Sequence, residues 1–98
     1  MIREFFLGFI KIHILYHAAE GPVYGAEMAR ELNRHGYDIS PGTLYPTLHS
    51  LERSGYLSSE ERVEAGRRRK YYRITSGGED ALAEARARIR ELVEEVLG

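Results

Sequence analysis

The chain has 98 residues, the length of one small domain, for which a lone monomer is only marginally stable. Its 14 Lys and Arg residues are balanced by 15 Asp and Glu residues, and the net charge of −1 argues against a uniformly basic nucleic-acid coat protein. Since Cys is absent, disulfide scaffolds, thiolate zinc sites and cysteine nucleophiles are excluded. No apolar run is long enough to span a membrane and no signal peptide is recognisable, so a soluble cytoplasmic protein is expected.

The N-terminal segment, residues 2–19, contains no Pro and predicts a first helix with two adjacent apolar stripes. One stripe consists of Ile2, Phe5, Phe9, Ile12, Tyr16 and Ala19. The other consists of Phe6, Ile10, His13 and His17. Together they form a face wider than a small domain needs, which predicts that this helix packs on its own core and on a second surface.

Two further helices follow, joined by a short turn. The second is predicted from about Tyr24 to His35, with Gly36 at the position of a left-handed C-cap. The third is predicted to begin with Ser40 as its N-cap and Pro41 in the first helical position. Its inner face is predicted to hold three leucines, Leu44, Leu48 and Leu51.

A change of period over residues 57–74 predicts a β-hairpin. Strands at residues 57–63 and 69–74 flank the turn signal Ala65-Gly66, and Tyr72 and Ile74 share the inward face. The tip and the return strand carry five positive charges within seven residues, namely Arg67, Arg68, Arg69, Lys70 and Arg73. In a chain that is neutral overall, this is a sharp local asymmetry.

The last helix is predicted to begin at Thr75 or Ser76, where Ser76-Gly77-Gly78-Glu79 matches a capping box. Its apolar residues then repeat at spacings of three and four, as in a coiled-coil seam: Leu82, Ala85, Ile89, Leu92 and Val96. The seam is too short for a stable coiled coil alone. We therefore expect it to pair with additional apolar surface, which the first helix has to spare.

The order helix, helix, short turn, helix, hairpin, helix predicts a mainly α fold with a small β-hairpin, the winged helix-turn-helix. Its third helix fits the DNA major groove, and a cationic hairpin contacts phosphates or the minor groove. The third helix is predicted to contact DNA through Ser40, Pro41, Gly42, Thr43, Tyr45, Pro46, His49 and Arg53. The hairpin is predicted to contribute Arg67, Arg68, Arg69, Lys70, Tyr71 and Arg73. A charge run in a turn is also a common solubility feature, and Tyr71 suits either an Arg side chain or the DNA backbone.

The sequence resembles the PadR family of bacterial transcriptional regulators in residues 40–48 (SPGTLYPTL) and residues 66–75 (GRRRKYYRIT). Residues 21–25 (GPVYG) are similar to the junction between the first two helices of that family, and the resemblance covers roughly residues 11–83. Three departures stand out. Ala26 replaces a larger residue, Arg68 replaces a Pro found in many relatives, and the chain has no Trp for a Trp-lined drug pocket.

The resemblance implies a homodimer that binds double-stranded operator DNA of two-fold symmetry, usually as a repressor. It implies a winged helix-turn-helix DNA-binding domain at residues 1–75 and a C-terminal dimerisation helix at residues 76–98, as in the compact subgroup of the family. The first helix is expected to share the dimer interface. The expected interface residues are Phe5, Phe9, Ile12, Tyr16, Leu82, Ala85, Ile89, Leu92 and Val96.

The family shares no single effector, so any effector has to be inferred from the residues themselves. An apolar pocket for a flat hydrophobic small molecule would involve Phe6, Phe9, His13 and Tyr16, although the favoured interpretation is that these residues simply fill the core and interface. His13 and His17 lie four residues apart, a spacing able to hold a divalent metal, with interface histidines as the alternative. His35 is expected to interact favourably with the dipole at the C-terminal end of the second helix. No other cofactor is predicted.

Two other classes of function make different demands on the sequence. A winged-helix protein–protein adaptor that binds no DNA has no need of five positive charges in its hairpin. A metal-dependent enzyme built on His13 and His17 would need a base and a cleft that the sequence does not indicate. None of the Ser residues lies in a nucleophile motif, so no enzymatic activity is predicted.

Overall fold

The computed structural model describes residues 2–98, so Met1, the first residue of the predicted DNA-binding domain, lies outside the described part. The elements are α1 (Ile2–Glu20), β1 (Val23–Tyr24), α2 (Gly25–Arg34), α3 (Pro41–Arg53), β2 (Leu57–Glu64), β3 (Arg67–Ile74) and α4 (Ser76–Val96). The predicted mainly α fold with a β-hairpin is confirmed. Over residues 2–98, no helix is both long and apolar enough to cross a membrane.

Helix α1 enters the core through a face on which only Ile10 belongs to a predicted stripe. Ile14 is fully buried, and Ile10, Leu15 and Ala18 are nearly so. The two predicted stripes are mostly outside this face, because Phe5, Phe6, Phe9 and Tyr16 are exposed. The expectation that α1 has more apolar surface than the core of the chain covers is confirmed. The side of α1 that faces the core is the one that carries Ile10 and Ile14.

Helices α2 and α3 begin and end where local signals predict. Gly36 has φ +91° just after α2, and Gly55 has φ +84° just after α3, so both use a backbone conformation that glycine adopts at little cost. Ser40 is the N-cap of α3, although its side chain makes no capping hydrogen bond, and Pro41 occupies the first turn. The core contains residues from every helix, including Met28, Leu32, Leu44, Leu48, Leu51 and Leu82.

The three strands form one antiparallel sheet in the order β1-β3-β2. The sequence analysis missed β1, in which Val23 pairs with Tyr72 and Tyr24 with Tyr71. Strands β2 and β3 are joined by a two-residue turn in which Ala65 (φ +52°) and Gly66 (φ +75°) both have positive φ, as the twist of a tight hairpin favours. Tyr72 lies in the core as predicted.

Helix α4 begins at a different cap from the one predicted. The N-cap is Thr75, whose Oγ1 accepts a hydrogen bond from the Gly78 N–H at 3.0 Å and donates one to the Gly55 carbonyl at 2.5 Å. Ser76 is therefore the first helical residue, and the capping box predicted from it is wrong. Leu82, predicted for the dimer seam, is only 3% exposed because it packs in the core of its own chain.

Candidate nucleic-acid interface

Helix α3 has an apolar inner face and a polar outer face. Leu44, Leu48 and Leu51 are buried as predicted, and Thr47 lies with them, its hydroxyl donating to the Thr43 carbonyl at 2.7 Å. The predicted DNA-contacting residues of this region are exposed, except that Thr43 is half-buried: Ser40, Pro41, Gly42, Tyr45, Pro46, His49 and Arg53. The periodicity argument therefore assigned the two faces correctly.

The start of α3 carries an additional cation from α1. Arg3 Nη2 donates to Thr43 Oγ1 at 3.3 Å, and Ser40 Oγ reaches the same oxygen at 3.3 Å. The first N–H groups of a helix favour an anion, and a guanidinium beside them adds to that preference. The sequence analysis did not identify Arg3, because no local signal shows that α1 crosses the start of α3.

Tyr45 is fixed against the junction of β1 and α2. A Cβ atom on Gly25 would lie 2.5 Å from Cε1 of Tyr45 and 2.7 Å from its hydroxyl oxygen, so the ring rests directly on the Gly25 backbone. About two-fifths of the side chain remains exposed. This packing holds the Tyr45 hydroxyl at the flank of the α3 surface.

The hairpin of β2 and β3, which we call the wing, separates its cations onto two faces. Alternation along β3 places Arg68 and Lys70 on the side of buried Tyr72, and Arg67, Arg69 and Arg73 on the opposite side. Lys70 Nζ lies 3.6 Å from Glu52 Oε1 of α3, so the inner side of the wing continues the α3 surface.

Carboxylates of β2 partly neutralise the wing, which the charge run alone does not reveal. Between Leu57 and Ile74 there are six cations and three carboxylates. Arg68 Nη1 is 3.6 Å from Glu61, and Arg73 Nη2 is 3.4 Å from Glu60. Arg62, which donates to Glu60 at 2.7 Å, holds the pKa of that carboxyl below its usual value, and the charge of Arg73 lowers it further. The wing keeps a net positive charge that is smaller than its five-residue run suggests.

Tyr71 takes part in a layered contact across the sheet. The Arg62 guanidinium lies 4.5 Å from the centre of its ring, and the Tyr24 ring of β1 is 5.4 Å away on edge. Arg69 in turn lies 4.4 Å from the centre of the Tyr24 ring. The Tyr71 hydroxyl donates to Glu64, which raises the pKa of Tyr71. Tyr71 therefore packs on an Arg side chain, which is one of the two roles predicted for it.

A second surface, formed by α1 and α4, is apolar. The predicted interface residues Phe5, Phe9, Tyr16, Ile89, Leu92 and Val96 are all exposed, whereas Ile12 and Ala85 are half-buried. Val93 and Leu97 extend the surface, and their positions beside Leu92 and Val96 are the signal that could have identified them. Because Leu82 is covered within the chain, the free seam on α4 begins after it.

A groove of about 700 Å³ lies between α1, the end of α2 and α4. Of the four residues predicted for an effector pocket, Phe9, His13 and Tyr16 line it. Phe6 does not, because it faces a neighbouring groove of about 830 Å³ beside the turn between α2 and α3. Phe6 still contacts Phe9, with 6.5 Å between the ring centres. The predicted pocket is therefore divided between two grooves.

His13 and His17 line the same groove, and His35 joins them. The rings of His13 and His35 are stacked with 4.8 Å between their centres. Burial, followed by the nearby His35 and His17, lowers the pKa of His13. From the sequence, His35 was predicted only to interact with the helix dipole. Its contact with His13 could not be predicted, because the two residues are 22 positions apart in the chain.

Comparison with known proteins gives consistent matches. Residues 14–84 match the sequence profile of the transcriptional regulator PadR-like family. The chain is 55% identical over 97 residues to the transcriptional regulator Rv3488 of Mycobacterium tuberculosis, which covers 99% of this chain and 91% of the relative. Among solved structures, a PadR-like transcription factor from Bacteroides fragilis has a TM-score of 0.84 at 32% identity, covering 96% of this chain and 92% of that one. A PadR family transcriptional regulator from Eggerthella lenta has a TM-score of 0.84 at 35% identity, covering 98% and 85%.

Proposed function

The chain belongs to the PadR-like family of transcriptional regulators, and on that premise we propose that it is a homodimeric, sequence-specific DNA-binding repressor. As a transcriptional regulator it is not an enzyme. The proposal places it in the cytoplasm on double-stranded operator DNA. An effector in the groove between α1 and α4 relieves the repression.

The observation that carries the DNA-binding proposal is the continuity of the α3 surface with the wing. The exposed face of α3 meets the inner side of the wing where Lys70 lies 3.6 Å from Glu52. A helix in the major groove positions such a wing along the adjacent phosphates. In this arrangement His49 contacts base edges, and Tyr45 and the wing cations contact the backbone. Arg53, in the last turn of α3, contacts a base or a phosphate.

The proposed dimer uses the apolar surface of α1 and α4. Leu92 and Val96 are more than half exposed, and so is Phe5 on α1. Phe9, Tyr16, Ile89 and Leu92 line one groove between the two helices, and clusters of exposed apolar side chains mark protein interaction sites. A second copy of the chain buries them across a two-fold axis, with residues 1–75 as DNA-binding domain and residues 76–98 as dimerisation helix. Two copies of α3 then read two half-sites of a palindromic operator.

The test begins with selection of bound duplexes from a random pool by the full-length protein. Binding of the selected duplex and of a scrambled duplex is then measured by fluorescence anisotropy at one salt concentration. A sequence-specific regulator binds the selected duplex about 10³-fold or more tightly than the scrambled one. An enriched palindrome that spaces its half-sites about one helical turn apart supports the dimer.

Two results contradict the proposal. Failure to enrich any sequence, together with no salt-dependent binding to any duplex, favours the protein–protein adaptor. Equal binding to selected and scrambled duplexes leaves only a non-specific DNA-binding protein. Titrating either duplex with bovine serum albumin in place of the regulator gives the background anisotropy for both measurements.

A further inference from the structure

Three of the four histidines of the chain converge in the groove between α1, the end of α2 and α4. His13 and His17 lie on one face of α1, and His35 is the residue that follows α2. One ring nitrogen from each lies within 4.8 Å of the corresponding nitrogens of the other two. Two imidazoles from α1 and one from the residue after α2 thus present donor atoms to one point.

A carboxylate stands next to the three imidazoles. Glu31 Oε2 lies 3.8 Å from His17 Nε2 and 3.9 Å from His35 Nε2, too far for a hydrogen bond to either. Arg34 donates to the same oxygen at 2.9 Å. Glu31 therefore lies beside two of the three imidazoles, outside the cluster of three nitrogens, and has to turn away from Arg34 to join it.

The distances fit a site that closes around a small cation. A tetrahedral zinc ion with Zn–N bonds of about 2.0–2.1 Å sets its ligand nitrogens about 3.4 Å apart. The histidine nitrogens therefore have to approach by only about 1–1.5 Å from their 4.8 Å limit. His35 and Glu31 are about one-third exposed, which leaves both side chains room to turn.

We propose that His13, His17 and His35, with Glu31 as fourth ligand, bind one divalent transition-metal cation that prefers nitrogen ligands. Zn²⁺, Ni²⁺ and Cu²⁺ belong to this class, whereas Mg²⁺ and Ca²⁺ prefer all-oxygen sites. The bound ion links α1, which carries part of the proposed dimer surface, to α2, which precedes α3. The metal ion therefore connects the proposed dimer surface to the helix that precedes the proposed DNA-contacting helix α3.

The experiment measures Zn²⁺ binding to the full-length protein, without a histidine tag, by isothermal titration calorimetry in the absence of DNA. We expect one ion per chain. Changes to residues outside the direct ligand set typically weaken metal binding about 10- to 100-fold, so loss of a direct ligand costs at least tenfold. His13→Gln, His17→Gln and His35→Gln each should show this loss. His49→Gln is the matched control, because His49 is the one remaining histidine and lies on α3.

The His35→Gln variant keeps the test decisive if a change at the half-buried His13 impairs folding, since His35 is exposed and follows the helix. Circular dichroism checks that each variant has the helix content of the parent protein. A Co²⁺ spectrum with intense visible bands reports tetrahedral coordination and should be lost in His35→Gln. The proposal is overturned if the parent protein binds no Zn²⁺, if His35→Gln binds it as tightly as the parent, or if His49→Gln is weakened equally. Because DNA is absent, these outcomes do not depend on whether the protein represses.

Discussion

Neutralising the wing cations should lower the salt dependence of DNA binding by a calculable amount. The variant replaces Arg67, Arg68 and Lys70 with Gln. Arg68 and Lys70 each have a carboxylate 3.6 Å away, but exposed ion pairs contribute only about 0–1 kcal/mol, so phosphates displace those carboxylates. Three lost phosphate contacts at about 0.9 each flatten the slope of log affinity against log salt by about 2.7. From about 50 to 200 mM salt, the parent protein then loses about 40-fold more affinity than the variant does.

Fluorescence anisotropy with one labelled duplex, repeated at several salt concentrations, gives both slopes. The control variant replaces Arg86, Arg88 and Arg90 of α4 with Gln, which removes the same charge from exposed positions outside the wing and outside α3. The control should keep the parent slope. An unchanged slope in the wing variant would mean that the wing is merely solvated, and an equal change in the control would mean that net charge alone is responsible.

Three further outcomes are expected. Leu92→Asp should leave a folded chain that light scattering finds as a monomer, because Leu92 is half exposed within one chain; a full-strength dimer refutes the interface. His49→Ala should lower the preference for the selected operator by about 1–3 kcal/mol, whereas Tyr45→Phe should weaken selected and scrambled duplexes alike; the reverse pattern shows the roles to be misassigned. The pKa of the Glu60 carboxyl measured by NMR should lie below the ordinary glutamate value of 4.5, because Arg62 stabilises the charged form. Since its pKa is lowered on folding, the stabilising contact is present above pH 4.5 and is lost as pH falls through the folded pKa; a midpoint at or above 4.5 contradicts this ion pair.

The elements that the sequence predicted correctly have their signals within a few residues. Gly36, the Ser40-Pro41 pair and Gly55 mark the ends of α2 and α3, because each acts on its own backbone. The two faces of α3 follow from helical periodicity for the same reason. The ends of a helix can be predicted from the sequence wherever the backbone preference of one or two residues decides whether the helix continues.

The features that sequence analysis missed depend on contacts between distant segments. A two-residue strand such as β1 is too short to show a period in the sequence. It forms because Tyr71 and Tyr72 of β3 offer a free strand edge with which it can pair. The inward phase of α1 was ambiguous because apolar residues cover most of its surface. Thr75 and Ser76 are equivalent as caps by type, and the bond from Thr75 to the Gly55 carbonyl selects Thr75.

The candidate site shows the same division. The exposed residues of α3 were predictable, whereas Arg3 beside Thr43 and His35 beside His13 follow from how α1 crosses α2 and α3. The partial neutralisation of the wing did have a signal in the sequence. Once the turn is placed at residues 65 and 66, antiparallel register brings Glu61 opposite Lys70, beside Arg68.

The short length of β1 makes the wing a structure of two parts. At its base, β1 pairs with Tyr71 and Tyr72 and adds a third strand to β2 and β3. From Tyr71 towards the turn only β2 and β3 remain, over residues 61–70. An isolated two-stranded hairpin is marginally stable, and Val63 at its outer end is 69% exposed. Amide protons of residues 61–70 are therefore expected to exchange by local opening long before those of the core. If the wing contacts phosphates as proposed, that contact orders this segment at an entropic cost that weakens binding.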